Sequence, residues 1–468
     1  MSLVTLLGLF FGTRALAIDA HAGLTDELTR LQREGNVPAM GLVLLDARRP
    51  VVIAAWGDEV DADTPFRWGS ITKTFTAIGL LRLVEQRQMG LDTPLRTLVS
   101  DGAYYNPWQR THPVRLGHLL ELTAGFTDLS ALEFNFNEPL SLAEAMQLNP
   151  ATRRAAWPPG VQHVYSNSTP GLTALAIEAI SDQRFEKFMR EHVFAPLGMA
   201  NATLEPVAGL PGGFKADGTT PIPYWHMTFR AFGAMNASTA ELANALTALL
   251  NGGELPDGGR LLSKTNFGRL FRAHTGIAGE HRLPVSYGAG SYGWVSHGTV
   301  FYGHGGDADG YRSRYGLLPE AGRGYAIIIN VDNIRLLRRM QRRIEAYLTR
   351  DLEHPPTPTV AAAASEEYAG SYYPAGVRFG LEQWNAGKLP KATVTLAGAG
   401  LRFEYRGRVT PLLATPQAGH FRRPDDPVAT VIFARDAAGS LHLQGELGNF
   451  VSLQLPPCPG FIPVCVKQ

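Results

Sequence analysis

Cysteine is nearly absent: 468 residues carry two, Cys458 and Cys465, both in a proline-rich carboxy-terminal tail. That excludes a disulfide-stapled scaffold and a four-ligand zinc site; in an oxidising compartment the pair could close a small loop, and two idle thiols are the alternative. Net charge is also missing. Lys and Arg number 43 against 42 Asp and Glu, leaving +1, so no general field draws the chain to nucleic acid or anionic membranes. The one basic cluster, Arg335, Arg338, Arg339, Arg342 and Arg343, falls on a single helical stretch and reads as its solvated face. No apolar run is long enough for a transmembrane segment. No two histidines stand at metal-ligand spacing, and His118, in an apolar helix, reads as a core residue. A small-molecule or peptide substrate, handled without metal or cofactor, fits what is left.

Apolar residues make up 45 % of the chain, enough for a large core and two domains. Leu3 to Phe11 followed by Ala15-Leu-Ala17 reads as a signal peptide over residues 1–17 with an Ala-x-Ala cleavage site. A periplasmic or secreted protein is expected from it. The stretch has no positive leading region and carries Arg14 beside the cut; no cysteine follows Ala17 to receive a lipid.

Beyond residue 17 the pattern divides. Met40 to Leu45 and Val51 to Trp56, joined by Asp46 to Pro50, read as an antiparallel hairpin. Residues 70 to about 290 are mostly helices and loops, with capping boxes at Ser141-Leu-Ala-Glu144 and Ser238-Thr-Ala-Glu241. Strands return over about 299–331, and an amphipathic helix from Leu336 to Asp351 can pack on the sheet. The fold class is α+β, an antiparallel sheet flanked by helices with a helical insertion, over residues 18–352. A Pro/Ala linker, 353–364, separates it from short alternating runs between 365 and 457, as in an antiparallel barrel. Residues 458–468 form the cysteine-bearing tail.

Three short motifs carry chemistry. Ser70-Ile-Thr-Lys73 opens a helix whose apolar residues Ile71, Phe75, Ile78, Leu81 and Val84 recur at helical spacing. Residues three apart share a helix face, so the Lys73 amine can reach the Ser70 oxygen. First-turn N–H groups lack intrahelical partners, which frees the Ser70 N–H to hold an oxyanion. Tyr165-Ser-Asn167 follows the turn Trp157 to Gly160 and precedes Pro170 and a helical run, placing it on a loop entering a helix. His304-Gly-Gly306 follows strand-like Thr299 to Tyr302. Lys73 can act as a base only if its charged form is disfavoured, and a tyrosine between Lys73 and His304 can be the proton acceptor instead. Decoys exist: Tyr104-Tyr-Asn106 also fits the second motif, and His274-Thr-Gly276, read as a surface helix end, also fits the third. A lone Ser-x-x-Lys arises on the order of once per chain this long, so the weight rests on the set.

The run Phe66-Arg-Trp-Gly-Ser-Ile-Thr-Lys-Thr-Phe-Thr-Ala resembles the nucleophile helix of the serine β-lactamase-related family. That family includes class C β-lactamases, serine D-Ala-D-Ala carboxypeptidases, D-aminopeptidases and β-lactamase-like esterases. Val114 to Phe126, Val164 to Ser168, Phe194 to Met199, Phe232 to Thr239 and Gly303 to Tyr311 are similar to later motifs in the family's order. The resemblance implies Ser70 as the acylated residue and Lys73 and Tyr165 as proton-handling partners. It implies Asn167 as a donor to Lys73 or to substrate, and His304 in place of a lysine. The N–H groups of Ser70 and Asp307 would form the oxyanion hole, with Gly305 and Gly306 on the substrate-binding strand. Glu367 to Tyr372 is similar to the opening of a lipocalin-like domain attached to some members.

Two departures bear on substrate. The family usually has Thr or Ser where Gly305 stands, and that hydroxyl helps hold a substrate carboxylate. Asp307 adds a negative side chain that repels carboxylates if it faces the cleft. The expectation is an exported serine hydrolase, favouring esters or D-amino-acid peptides over β-lactams. The alternative is an inactive penicillin-binding-like protein that binds or senses cell-wall fragments.

Overall fold

The computed structural model describes residues 10–255, 257–353, 366–376 and 391–452. Cys458, Cys465 and linker positions 354–364 lie outside the described residues. A helix, α1 (Phe10–Glu34), leads into the strands β1 (Met40–Asp46) and β2 (Arg49–Trp56). The expected cut after Ala17 falls inside α1. The hairpin turn is tighter than the pattern suggested: Ala47 and Arg48 alone make it, with φ of 47° and 62°, as two-residue hairpin turns require.

A short strand, β3 (Pro65–Arg67), precedes a 3-10 turn over Gly69–Ile71 and then α2 (Thr72–Gln86). The helical insertion follows: α3 (Leu116–Leu120), α4 (Leu142–Leu148), α5 (Thr169–Ser181), α6 (Phe185–Met189), α7 (Thr239–Leu250), α8 (Lys264–Gly268) and α9 (Gly276–Glu280). Two ribbons interrupt it, β4 (Gly213–Phe214) with β5 (Pro221–Ile222), and β6 (Asn236–Ser238) with β3. The chain then lays down β7 (Tyr292–Ser296), β8 (Thr299–Ala308), β9 (Tyr311–Leu318) and β10 (Arg323–Ile329), followed by α10 (Ile334–Thr349). These complete one antiparallel sheet in the order β2-β1-β10-β9-β8-β7.

The sheet is buried on both faces because its strands are apolar on both. One face carries Leu42, Leu44, Phe301, Tyr325 and Ile327 against Leu28 and Leu31 of α1 and Leu337, Met340 and Ile344 of α10. The other carries Val43, Leu317 and Ile328 against Phe66, Phe75, Ile78, Leu246 and the rest of the insertion. Helix α10 is tied down by one buried carboxylate: Glu345 accepts from Trp294 Nε1 at 3.0 Å and from Tyr325 Oη at 2.7 Å. Its five arginines are all exposed. Helix α2 is buried on nearly every side, so it runs through the centre rather than along the surface. No described helix is long and apolar enough to cross a membrane.

The carboxy-terminal part is a closed barrel of eight strands: β11 (Gly370–Pro374), β12 (Ala392–Ala397), β13 (Gly400–Tyr405), β14 (Arg408–Ala414), β15 (His420–Arg422), β16 (Val431–Arg435), β17 (Leu441–Gly445) and β18 (Gly448–Ser452). Tyr372, Phe403, Phe421, Phe433 and Phe450 fill its interior. Strands β14 and β15 show no clear alternating run in the sequence. Pro411 interrupts the first and the second is three residues long, and both features argue against a strand from sequence alone.

Both expected capping boxes form, with Ser141 accepting from the Glu144 N–H and Ser238 from the Glu241 N–H. Replacing Ser238 by Ala leaves a first-turn N–H of buried α7 unpaired. A loss of about 1 kcal/mol is expected, read as a lower denaturant midpoint; an unchanged midpoint would refute the cap's contribution.

Candidate active site

Gly69 opens the site. Its φ of +57° lets the chain turn from β3 into α2, and Ser70 follows within the 3-10 turn, two residues before α2 proper. Ser70 is 5 % exposed and Lys73 3 %. Lys73 Nζ lies 3.0 Å from Ser70 Oγ, 2.7 Å from Asn167 Oδ1 and 2.9 Å from the Phe232 carbonyl oxygen. Amide and peptide oxygens can only accept, so two of these three contacts require protons on Nζ. The third faces a hydroxyl, which can donate or accept. A neutral Lys73 amine can therefore take the Ser70 proton without breaking either other bond.

Tyr165-Ser-Asn167 is held by the segment just past the Val114–Phe126 motif. Ser166 Oγ donates to the Thr127 carbonyl at 2.8 Å, and the Asn167 N–H donates to Asp128 Oδ1 at 2.7 Å. Asn167 Nδ2 reaches Asp128 Oδ2 at 3.3 Å, which turns Oδ1 toward Lys73. Asn167 thus accepts from Lys73 rather than donating to it. The Lys73 ammonium position is 4.9 Å from the centre of the Tyr165 ring, and that ring is 6.1 Å from the His304 ring. Four distant residues, Ser70, Lys73, Tyr165 and His304, meet at one place.

His304 sits on β8 and is buried. Its Nδ1 is 2.6 Å from the Gly305 carbonyl oxygen and its Nε2 is 3.2 Å from Tyr287 Oη. The carbonyl fixes a proton on Nδ1. Burial pushes the Tyr287 phenol well above its usual range, so Tyr287 stays a neutral phenol in hydrogen-bond contact with Nε2.

Gly306 lets β8 approach the nucleophile. A Cβ on Gly306 would stand 1.9 Å from the Trp68 carbonyl oxygen and 2.2 Å from Ser313 Oγ. A Cβ on Gly69 would stand 3.0 Å from the Asp307 nitrogen, so the Asp307 amide lies against the turn that carries Ser70. Beside Gly305, where the family resemblance leads one to expect a hydroxyl, stands the Arg314 guanidinium, 2.9 Å from where a Cβ would be and bonded to Tyr292 Oη. The Asp307 carboxylate is 3.9 Å from Arg312 Nε, which offsets the repulsion anticipated from its charge. Of the decoys, Asn106 donates to the His112 carbonyl and the His274 N–H donates to Glu121. Residue 274 lies in a loop rather than at a helix end, since α8 stops at Gly268. Glu121, Asp128 and Tyr287 were not legible as site residues: no motif spacing marks them.

Next to Tyr287 a cavity of about 220 Å³ is lined by Glu121, His163, Tyr292 and Trp294 and, from the barrel, by Gln444, Glu446 and Asn449. Burial pushes the Glu121 carboxyl up to about 7, against hydrogen bonds from the His274 and Thr275 N–H groups and the Thr275 hydroxyl. Burial likewise lowers His163 to about 4, and its Nδ1 lies 3.0 Å from the Glu121 carbonyl oxygen. Among the described residues no cluster of His, Cys, Asp and Glu is arranged to hold a metal ion.

Sheet and insertion form a β-lactamase/penicillin-binding-protein-like fold, with α2 between sheet and helices. The β-lactamase family profile matches residues 24–348, and the chain belongs to that family. It is 23 % identical over 329 residues to penicillin-binding protein 4 of Amycolatopsis lactamdurans, covering 66 % of this chain and 85 % of that one. Among solved structures, SurE with D-Leu superposes with a TM-score of 0.60 at 20 % identity, covering 94 % of this chain and all of SurE. A D-stereospecific amidohydrolase from Streptomyces sp. gives 0.55 at 22 % identity, covering 70 % of this chain and 98 % of that one.

Two outcomes are expected. Gly306→Ala forces β8 away from Trp68 and should lower turnover at least about tenfold with the fold retained; wild-type rates in a folded variant would contradict the close-approach argument. Glu121 binds a proton in the folded state that the unfolded chain has released between pH 4.5 and about 7, so its ionisation costs stability progressively as pH rises through that window. Glu121→Gln should then gain on wild type by roughly 1–3 kcal/mol between about pH 5 and about pH 8. Urea unfolding at both values checks it, and an equal difference at the two would rule it out.

Proposed function

We propose that this chain is an exported serine hydrolase acting through an acyl-enzyme on Ser70, with esters or D-amino-acid amides preferred over β-lactams. One observation carries the reading: the Lys73 amine, bonded to two obligatory acceptors, has its remaining position on the Ser70 hydroxyl. Ser70 Oγ attacks a carbonyl carbon while its proton passes to Lys73 Nζ or the Tyr165 phenolate. The tetrahedral oxyanion is held by the Ser70 and Asp307 N–H groups. The stored proton goes to the leaving alcohol or amine, and water then releases the acid from Ser70.

The substrate preference rests on Gly305, which offers no hydroxyl to a substrate carboxylate, while the neighbouring Arg314 guanidinium is engaged by Tyr292. It is supported by the D-Leu bound to SurE and by the D-stereospecific amide chemistry of the Streptomyces protein, two structures sharing this fold. Export rests on the apolar stretch ending at Ala17.

A fluorophosphonate probe should label the wild type and leave Ser70→Ala unlabelled, and ester turnover should fall at least about a thousandfold in that variant. Lys73→Ala and Tyr165→Phe should each lose about a hundredfold or more. Equal labelling of wild type and Ser70→Ala would overturn the nucleophile, and an unlabelled wild type would favour the inactive binding protein. In a panel of nitrocefin, D-amino-acid amides, D-Ala-D-Ala peptides and short-chain esters, nitrocefin is expected to be the poorest substrate. Nitrocefin as the best would sink the preference argued from Gly305.

A further inference from the structure

The barrel meets the hydrolase domain at the segment that delivers Tyr165. Trp157 Nε1 donates to the Ala375 carbonyl at 2.6 Å, and Val164 packs with Ala375 and Val451. Between these contacts Gln162 is fully buried, and its Oε1 accepts from Gln444 Nε2 and lies 3.0 Å from His442 Nδ1. The Gln444 amide is oriented by its other end, where Oε1 accepts from the Ala278 N–H at 3.1 Å. Gln162 must therefore present its oxygen, and His442 Nδ1 must donate to it. His442 Nε2 in turn lies 2.9 Å from Asp436 Oδ2. From the hydrolase side, the Val164 N–H donates to the Leu122 carbonyl at 3.0 Å, so the segment is gripped from both sides.

Burying this many polar groups at a seam is costly unless each is paired, and here the Gln162 Nε2 is left without a partner while its oxygen takes both neighbours. Apolar contacts alone would join the domains, as they do alongside, where Ile277 and Leu283 meet Ile432 and Ala434. What the polar chain adds is direction: it fixes where Gln162 sits, three residues before Tyr165. We propose that the barrel is a positioning element of the active site, with Gln444 and His442 holding Gln162 so that Tyr165 keeps its place against Lys73 and His304. The inference rests on the hydrolase reading above, and it gives the second domain a part in the chemistry without contact to the reacting atoms.

The test uses the full chain. Gln444→Leu and Gln162→Leu should each lower kcat about tenfold or more with KM within about twofold, and shift the pH–rate profile, because a displaced phenol changes the proton path. The double variant should be no worse than either single one, since both cut one link. Ile432→Ala, which trims only the apolar seam, should lower the melting temperature and leave kcat unchanged. A folded Gln444→Leu with wild-type kcat and pH profile overturns the proposal. Should the leucine variants fail to fold, hydrogen exchange on the wild type decides. Amides 161–167 opening together with β17 support the brace, and a separate, faster opening removes it. Ser70→Ala run in parallel keeps the two readings apart: turnover that does not depend on Ser70 ends the hydrolase assignment, while the exchange result still judges the brace.

Discussion

A buried amine with two fixed acceptors is the constraint around which the rest is arranged. Leaving an amino group unpaired in an apolar interior costs several kcal/mol, so the fold must bring acceptors to Lys73 from outside its own helix. It does so with an amide from the loop ahead of α5 and a peptide carbonyl from the turn at Phe232, 94 and 159 residues away in sequence. Asp128 then holds Asn167 so that its oxygen, not its nitrogen, faces the amine. Only with both acceptors in place is the third position of Nζ directed at the Ser70 hydroxyl.

The sheet supplies the other half of the site by close approach. Strand β8 lies against the Trp68–Ser70 turn because Gly306 has no side chain, and Ser313 Oγ on the neighbouring strand donates to the Trp68 carbonyl at 2.9 Å. Backbone therefore meets backbone where the Asp307 N–H is needed. Because Phe301 of β8 is buried with Trp294, Tyr325 and the apolar face of α10, β8 cannot shift without disturbing that packing. The site inherits its stiffness from that packing.

The α+β architecture was legible in the sequence because apolar runs, capping boxes and turn residues are local signals. Helices α4 and α7 show this at Ser141 and Ser238, and the first hairpin at β1 and β2. Ser70, Lys73, Tyr165, Asn167 and His304 were legible because each sits in a short motif with a distinctive neighbourhood. What escaped was set by tertiary contact. Tyr287 matters because it touches His304, Asp128 because it turns Asn167, and Gln162 because the barrel reaches it; none has a sequence signature. Strand β7 and the short β15 escaped for a simpler reason. A five-residue edge strand and a three-residue staple have too few positions to show alternation.

The imidazole on β8 sets this site apart from a version with lysine there. Lysine would bring a flexible, permanent charge, whereas His304 is a planar ring held by the Gly305 carbonyl on one nitrogen and the Tyr287 hydroxyl on the other. Tyr287 can hold that role because burial keeps its phenol protonated across the working pH range. The Tyr165 ring lies with its centre 4.9 Å from the Lys73 amine, the group with which it would exchange a proton in the proposed mechanism. Losing a proton from Tyr165 is favoured while Lys73 is charged and disfavoured once Lys73 is neutral, so the two cannot both be bases at once. In the proposed mechanism a single mobile proton is then shared between amine and phenol. It makes the placement of Tyr165, and hence of the buried segment that carries it, the most sensitive distance in the site.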